Sequence, residues 1–183
     1  MNQSLIDNNY LILPNFLDPD RAKELHSIFK KSIESNPAEF ARDEQCPKSL
    51  SVYDYRWFLE LLVESAPVLS DIMQEPILPT YCYARMYQHG EELVKHKDRP
   101  SCEISVSLNL DSDGTSWPLY FTKPNGEVAS VELNSGQAVL YLGCVSTHWR
   151  DRYEGHELSQ VFLHYVRSRG PYWDFYFDKQ KKC

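Results

Sequence analysis

The stretch "LVKHKDRPSCEISVSLNL", residues 93–110, decides how the rest of the chain is read. A strand sends residues i and i+2 to the same face, so His96 and Asp98 point together while Lys95 and Lys97 point away. An imidazole and a carboxylate aimed at one spot are a candidate pair of metal ligands; two residues on a solvated strand are the simpler account of so short a motif. Beyond the pair the chain alternates, with Ile104, Val106, Leu108 and Leu110 on one face and Ser105, Ser107 and Asn109 on the other. The apolar set predicts a core-facing side, while the polar set either lines a cavity or meets solvent.

Outward from this stretch, the apolar period is two everywhere after Pro79. "TYCYARMY", "ELVKHKD", "CEISVSLNL", "WPLYFT", "EVASVEL", "QAVLYLG" and "ELSQVFLHYV" read as short strands, with Asp113-Gly114, Asn125-Gly126 and Ser135-Gly136 as turns. So many strands in about a hundred residues predict a sandwich or jelly roll. Before Pro79 the period is helical. "NYLILPNF" gives a short strand and a turn, Asp18 caps a helix that has Pro19 at its first position, and Leu25, Ile28, Phe29 and Ile33 form its apolar stripe. His26 on that helix reads as an ordinary surface or boundary histidine. "YRWFLELLVESAPVLSDIMQ" predicts a helical pair divided near Pro67, with Phe58, Leu61, Leu62, Val68, Leu69 and Ile72 covering a sheet. The polar, proline-punctuated residues 36–53 between the helices predict a long loop beside the fold.

At 183 residues the chain is expected to be one α+β domain, mainly β with N-terminal helices. The helical part runs over about 17–78 and the core over about 80–168, the core being a double-stranded β-helix, or jelly roll, with the helices packed on one sheet. A formal net charge of −7 argues against nucleic acid or an anionic membrane as partner. Five cysteines (Cys46, Cys82, Cys102, Cys144 and Cys183) show no C-x-x-C spacing; Cys82, Cys102 and Cys144 read as buried thiols, and a reducing cytoplasm is the expected location. No stretch approaches a membrane span or a targeting segment.

Two histidines and one carboxylate on one face of a ferrous ion leave the opposite positions open for substrate and oxygen chemistry. The third ligand has three candidates. His148 ends the strand-like "GQAVLYLGCVSTHW", and its fifty-residue separation from Asp98 lets the chain return to the pair; it is favoured on strand geometry. His164, in the last strand, is the better alternative, because His156 sits in the polar turn "DRYEGHEL".

The order "YARMYQHGEELVKHKDRPSCEISVSLNL", "SGQAVLYLGCVSTHWRDRYEG" and "QVFLHYV", spanning about residues 81–166, resembles the iron(II)- and 2-oxoglutarate-dependent dioxygenases, specifically their prolyl 4-hydroxylase-like branch. "NFLDPDRAKELHSIF" resembles the preceding strand and helix of the same branch. The resemblance implies Fe(II), 2-oxoglutarate and O2 as cofactor and cosubstrates, with His96, Asp98 and His148 as metal ligands. It implies hydroxylation of a C–H bond of a prolyl or other peptidyl residue, or of a small molecule, with release of succinate and CO2. Two other readings stand beside it. One is a jelly-roll binding module without turnover, and the other a metal-dependent hydrolase or isomerase, which lacks an obvious general base.

One departure from the family is informative. Its members hold the far carboxylate of 2-oxoglutarate with a lysine or arginine nine or ten residues after the distal histidine, where this chain has Glu157 and Leu158. Arg150 is the expected substitute, since residue i+2 from His148 faces the same interior. Arg152 comes next, then Arg85 and Arg99. Tyr87, Ser107 and His164 are candidates for hydrogen bonds to the cosubstrate, and Trp117, Trp149 and Trp173 read as packing residues. Loops 36–53 and 99–102 are expected beside the open end, and the tail "GPYWDFYFDKQKKC" at an edge or partner surface.

Overall fold

The computed structural model describes residues 2–177. Three α-helices lie in the first part of the chain: α1 (Gln3–Asn8), α2 (Pro19–Ser35) and α3 (Arg56–Met73). Two strands interleave with them, β1 (Tyr10–Leu13) and β2 (Leu50–Tyr53). Eight strands follow: β3 (Ile77–Gln88), β4 (Leu93–His96), β5 (Ile104–Ser112), β6 (Leu119–Thr122), β7 (Val128–Val131), β8 (Ala138–Tyr141), β9 (His148–Arg150) and β10 (Glu157–Arg167).

The start of α2 is the expected one. The Asp18 carboxylate accepts from the N–H groups of Asp20 at 3.0 Å and Arg21 at 3.1 Å, satisfying two donors that a helix start leaves unpaired. Ala22, Leu25 and Phe29 then face inward. The expected division of the next helix does not occur: α3 runs unbroken through Pro67. Pro67 lies on the exposed face, where the carbonyl deprived of its donor meets water, while Phe58, Leu62, Leu69 and Met73 anchor both halves. Val68 belongs to that outer face at 53% exposure and covers no sheet, contrary to expectation. The polar excursion also ends differently, because Leu50 and Val52 pack against the helical core and draw residues 50–53 into β2, an edge strand beside β3.

The strands form two antiparallel sheets in a jelly-roll-like arrangement, six strands in the order β1-β8-β5-β10-β3-β2 and four in the order β4-β9-β6-β7. Helices cover the outer face of the larger sheet, so Leu25, Phe29, Phe58 and Leu62 pack with Ile104, Val106, Leu108 and Val161 in one core. The other face of that sheet looks toward the smaller one. There Val139 and Tyr141 meet Leu93, Leu119 and Phe121. Ser105, Ser107 and Asn109 share this inner face and are buried, which places the polar side of β5 inside the protein rather than in solvent.

His148 opens β9 instead of ending the preceding strand. β8 stops at Tyr141, and the chain reverses through a turn in which Val145 and Ser146 donate to the Leu142 carbonyl. Gly143 is required there, since a Cβ would press on the Cys102 carbonyl and come within 2.5 Å of Asp98 Oδ2. Cys46, Cys82 and Cys102 are buried, but Cys144, in this turn, is only half-buried; Cys183 lies outside the described residues. Of the aromatic tail, Trp173, Tyr176 and Phe177 are exposed and residues 178–183 lie outside the described residues. No described helix is long and apolar enough to cross a membrane.

Candidate active site

β4 ends at His96 and β9 begins at His148, and these two residues are cross-strand partners. Asp98, two residues past β4, is pinned by its N–H to the Gly143 carbonyl at 2.9 Å. The result is convergence: ligand atoms of His96, Asp98 and His148 all lie within 4.8 Å of one another. Asp98 Oδ1 is 3.5 Å from Nε2 of His96 and 3.5 Å from Nε2 of His148.

Tautomers sharpen this picture. Nδ1 of His96 is 2.8 Å from the Val94 carbonyl, and Nδ1 of His148 is 3.0 Å from that of Ser146. A carbonyl oxygen only accepts, so Nδ1 carries the proton in each neutral ring and each Nε2 turns a lone pair inward. Two nitrogen lone pairs and one carboxylate oxygen then face each other with no donor among them, a set that requires a cation. A proton on Nε2 can stand in for that cation: burial works against the charge on Asp98, yet hydrogen bonds from His148 and His96 in their protonated form outweigh it and hold the carboxyl well below the usual carboxylate range. The other carboxylate oxygen, Oδ2, accepts from Ser105 Oγ at 2.9 Å, and Ser105 Oγ is 2.9 Å from His164 Nδ1. His164 is thus a neighbour of the ligand set, braced through Ser105 against Asp98. His156 stands in the exposed turn, as expected from its sequence context.

A cavity of about 370 Å³ extends from the triad between the two sheets. Arg150 follows His148 by two residues on β9 and lines this cavity together with Tyr87, Ser107, Gln160 and His164. Its guanidinium is buried and makes no ion pair among the described residues; it donates to the Trp117 carbonyl and lies 4.4 Å over the Trp117 ring. Burial pushes its pKa down to about 10. A buried cation without a counter-charge is expensive, and the cavity wall around it carries further unanswered groups: Ser107 Oγ and both amide atoms of Gln160 have no hydrogen-bond partner among the described residues. These residues fit a carboxylate-bearing ligand.

Gln160 was not foreseen. It shares a face of β10 with His164, and a bulge between Ser159 and Gln160 re-aims the strand next to it. Arg152 requires a correction, because β9 ends at Arg150 and the alternation stops there; Arg152 is turned to solvent and pairs with Glu154 at 3.7 Å. Arg85 is in the cavity wall but is committed, with Nη2 2.5 Å from Asp43 Oδ2 and Nη1 3.3 Å from the Tyr87 hydroxyl. Trp149 packs on Tyr120, and Trp117 supports Arg150. Asp43, Gln45 and Tyr53 from the 36–53 segment and Arg99 and Cys102 from the other expected loop line the same cavity.

No family model and no curated protein matches the sequence. Solved structures do match in fold. A prolyl 4-hydroxylase from Pseudomonas putida aligns over 91% of this chain and 96% of its own, with a TM-score of 0.72 and 16% identity. HygX from Streptomyces hygroscopicus, crystallised with nickel and 2-oxoglutarate, aligns over 91% of this chain and 85% of its own, with a TM-score of 0.74 and 10% identity. The alpha-ketoglutarate-dependent epimerase SnoN from nogalamycin biosynthesis gives a TM-score of 0.75 at 11% identity over 90% of this chain and 78% of its own. The chain shares its fold with these solved structures, the prolyl 4-hydroxylase among them.

Proposed function

We propose that the protein is an Fe(II)- and 2-oxoglutarate-dependent dioxygenase, built on a double-stranded β-helix, that hydroxylates a C–H bond of its substrate. The observation that carries this reading is the pairing, in one cavity, of three converging lone-pair ligands with a buried guanidinium that has no counter-charge among the described residues. His96, Asp98 and His148 hold the metal, and Arg150 receives the far carboxylate of 2-oxoglutarate. When bound there, the metal and cosubstrate supply the oxidation of the C–H bond by dioxygen, with succinate and CO2 released.

The chain's own contribution is placement and shielding. Val94 and Ser146 fix the imidazoles in the metal-binding tautomer through Nδ1. Ser105 occupies Asp98 Oδ2 and leaves Oδ1 to point at the histidines. Ser107 Oγ and Gln160 Nε2, without partners among the described residues, would donate to the cosubstrate beside Arg150, and Tyr87 adds a hydroxyl to the same wall. Leu93, Leu119 and Tyr141 line the cavity and exclude water from it. A hydrolase reading has little support, because among the described residues the only carboxylates lining the cavity are Asp98 and Asp43, and Asp43 is bound to Arg85 and to the Tyr83 hydroxyl.

The deciding experiment is anaerobic titration of apoprotein with ferrous iron and then 2-oxoglutarate, followed by oxygen and measurement of succinate. The dioxygenase reading expects a cosubstrate-dependent absorption change and succinate after oxygen. Neither appearing would leave the binding module as the better account.

A further inference from the structure

Asp98 turns its two oxygens to different neighbours. Oδ1 faces His96 and His148, while Oδ2 is 2.9 Å from Ser105 Oγ, which is also 2.9 Å from His164 Nδ1. On this second side Asp98, Cys102 and His164 each offer a ligand atom, and the three atoms lie within 4.8 Å of one another, as those of the histidine triad do. Cys102 ends the 3-10 turn Pro100–Cys102, and His164 comes from β10. Both are buried, at 3% and 6% exposure, and both line the cavity that reaches Asp98. The backbone holds this group together. Asp98 donates its N–H to the Gly143 carbonyl at 2.9 Å, Cys102 donates its own to the Arg99 carbonyl at 2.8 Å, and a Cβ on Gly143 would collide with both the Cys102 carbonyl and Asp98 Oδ2.

Sulfur changes the ion that such a set selects. Two imidazoles and a carboxylate suit iron, whereas a thiolate, an imidazole and a carboxylate suit a thiophilic ion such as zinc. Zinc bonds of roughly 2.0–2.3 Å place neighbouring ligand atoms about 3.3–3.8 Å apart, so side-chain shifts of about 1 Å close the set around one ion. The Tyr81 hydroxyl, 3.0 Å from Cys102 Sγ, stands beside it as a further oxygen. Coordination breaks the S–H bond, forms a metal–sulfur bond and releases the proton to solvent. Cys46 has no such prospect, because its sulfur lies 3.2 Å from the Arg85 guanidinium, which repels a metal ion. Sharing Asp98 is no obstacle: in two-metal sites the ions sit about 3.5–4 Å apart, a spacing one carboxylate spans with an oxygen on each.

We propose that Asp98, Cys102 and His164 form a second cation site, for a thiophilic divalent ion of the zinc class, which shares the Asp98 carboxylate with the site of His96 and His148. The dioxygenase reading concerns the first site; the second stands on its own ligands.

The probe is cadmium, whose NMR resonance and sulfur-to-metal ultraviolet band both report thiolate ligation. Titrated into metal-free protein under anaerobic conditions, it should give one resonance from nitrogen and oxygen ligands and a second from a site that contains sulfur. Cys102→Ser should remove the sulfur signal, lower the bound cadmium by one equivalent and leave the other resonance in place. His148→Ala should do the reverse. Should Cys102→Ser fail to fold, His164→Phe, which keeps a ring against Tyr81, should likewise lose the sulfur-containing site. A wild-type protein with the sulfur signal alone would remove the dioxygenase reading and leave this proposal standing. No sulfur signal, one that persists in Cys102→Ser or with unchanged affinity in His164→Phe, or one that is lost in His148→Ala overturns it.

Discussion

Oγ of Ser105 lies 2.9 Å from Oδ2 of Asp98, and this contact sets which carboxylate oxygen faces the two histidines. The serine is itself held by His164 Nδ1 at 2.9 Å, so a residue of β5 and a residue of β10 together orient a ligand that lies beyond β4. Outer contacts of this kind typically contribute 10–100-fold to metal affinity. Ser105→Ala should therefore weaken nickel or iron binding by about 10–100-fold, measured by titration, while the fold is retained. An unchanged metal affinity would show that Asp98 is oriented by its backbone alone.

Removing a ligand should do more than removing its support. His148→Ala should leave the protein without stoichiometric iron after gel filtration, whereas His156→Ala, in an exposed turn, should retain it. Metal analysis of the two variants separates the distal histidines that the sequence offers.

Arg150 links stability to cosubstrate binding with opposite signs. Its buried charge has no counter-ion among the described residues, so Arg150→Met should raise the stability of the ligand-free protein by about 1 kcal/mol, roughly 2–4 °C in Tm. The same change should weaken 2-oxoglutarate by about 10–100-fold. Thermal unfolding and labelled-cosubstrate binding on one preparation check both. A variant that loses stability and keeps its cosubstrate affinity would place the anchor elsewhere.

Acid sensitivity should trace to His164. Burial pushes its pKa from 6.5 down to about 4, Asp98 opposes this, and Arg99 and His148 add to it. Between those values the unfolded chain binds a proton that the folded chain refuses, so stability is complete above pH 6.5 and falls as pH drops toward 4. The loss is on the order of 3 kcal/mol. His164→Gln should flatten that slope in denaturant titrations at pH 7, 6, 5 and 4, and an unaltered slope would assign it to another group.

How much of this was legible in the sequence depends on the kind of residue. His96 and the serine face of β5 follow from strand alternation, and the structure turns them toward the cavity side; Asp98 lies two residues past the end of β4, and its N–H bond to the Gly143 carbonyl, not alternation, holds it there. Arg150 follows from the same rule applied to His148, but Arg152 does not, because the rule holds only as far as the strand, which stops at Arg150. β9 is three residues long and preceded by a turn, so nothing in its composition marks where it begins. Gln160 was readable from its spacing of four from His164 on β10, yet a neutral amide does not stand out where the search is for a cation. Pro67 misled because helix breaking depends on which side the freed carbonyl faces, a property of packing rather than of local sequence. The end of the cavity remote from Arg150 draws on β2, β3, β10 and two loops, and no single stretch announces it.

A crystal structure of the protein grown anaerobically with nickel and 2-oxoglutarate tests the central claim most directly, with the metal located by its anomalous scattering. The account predicts one metal bound by His96, Asp98 and His148, and the far carboxylate of the cosubstrate on Arg150. A metal located away from these three side chains, or a cosubstrate carboxylate anchored by another residue, would contradict it.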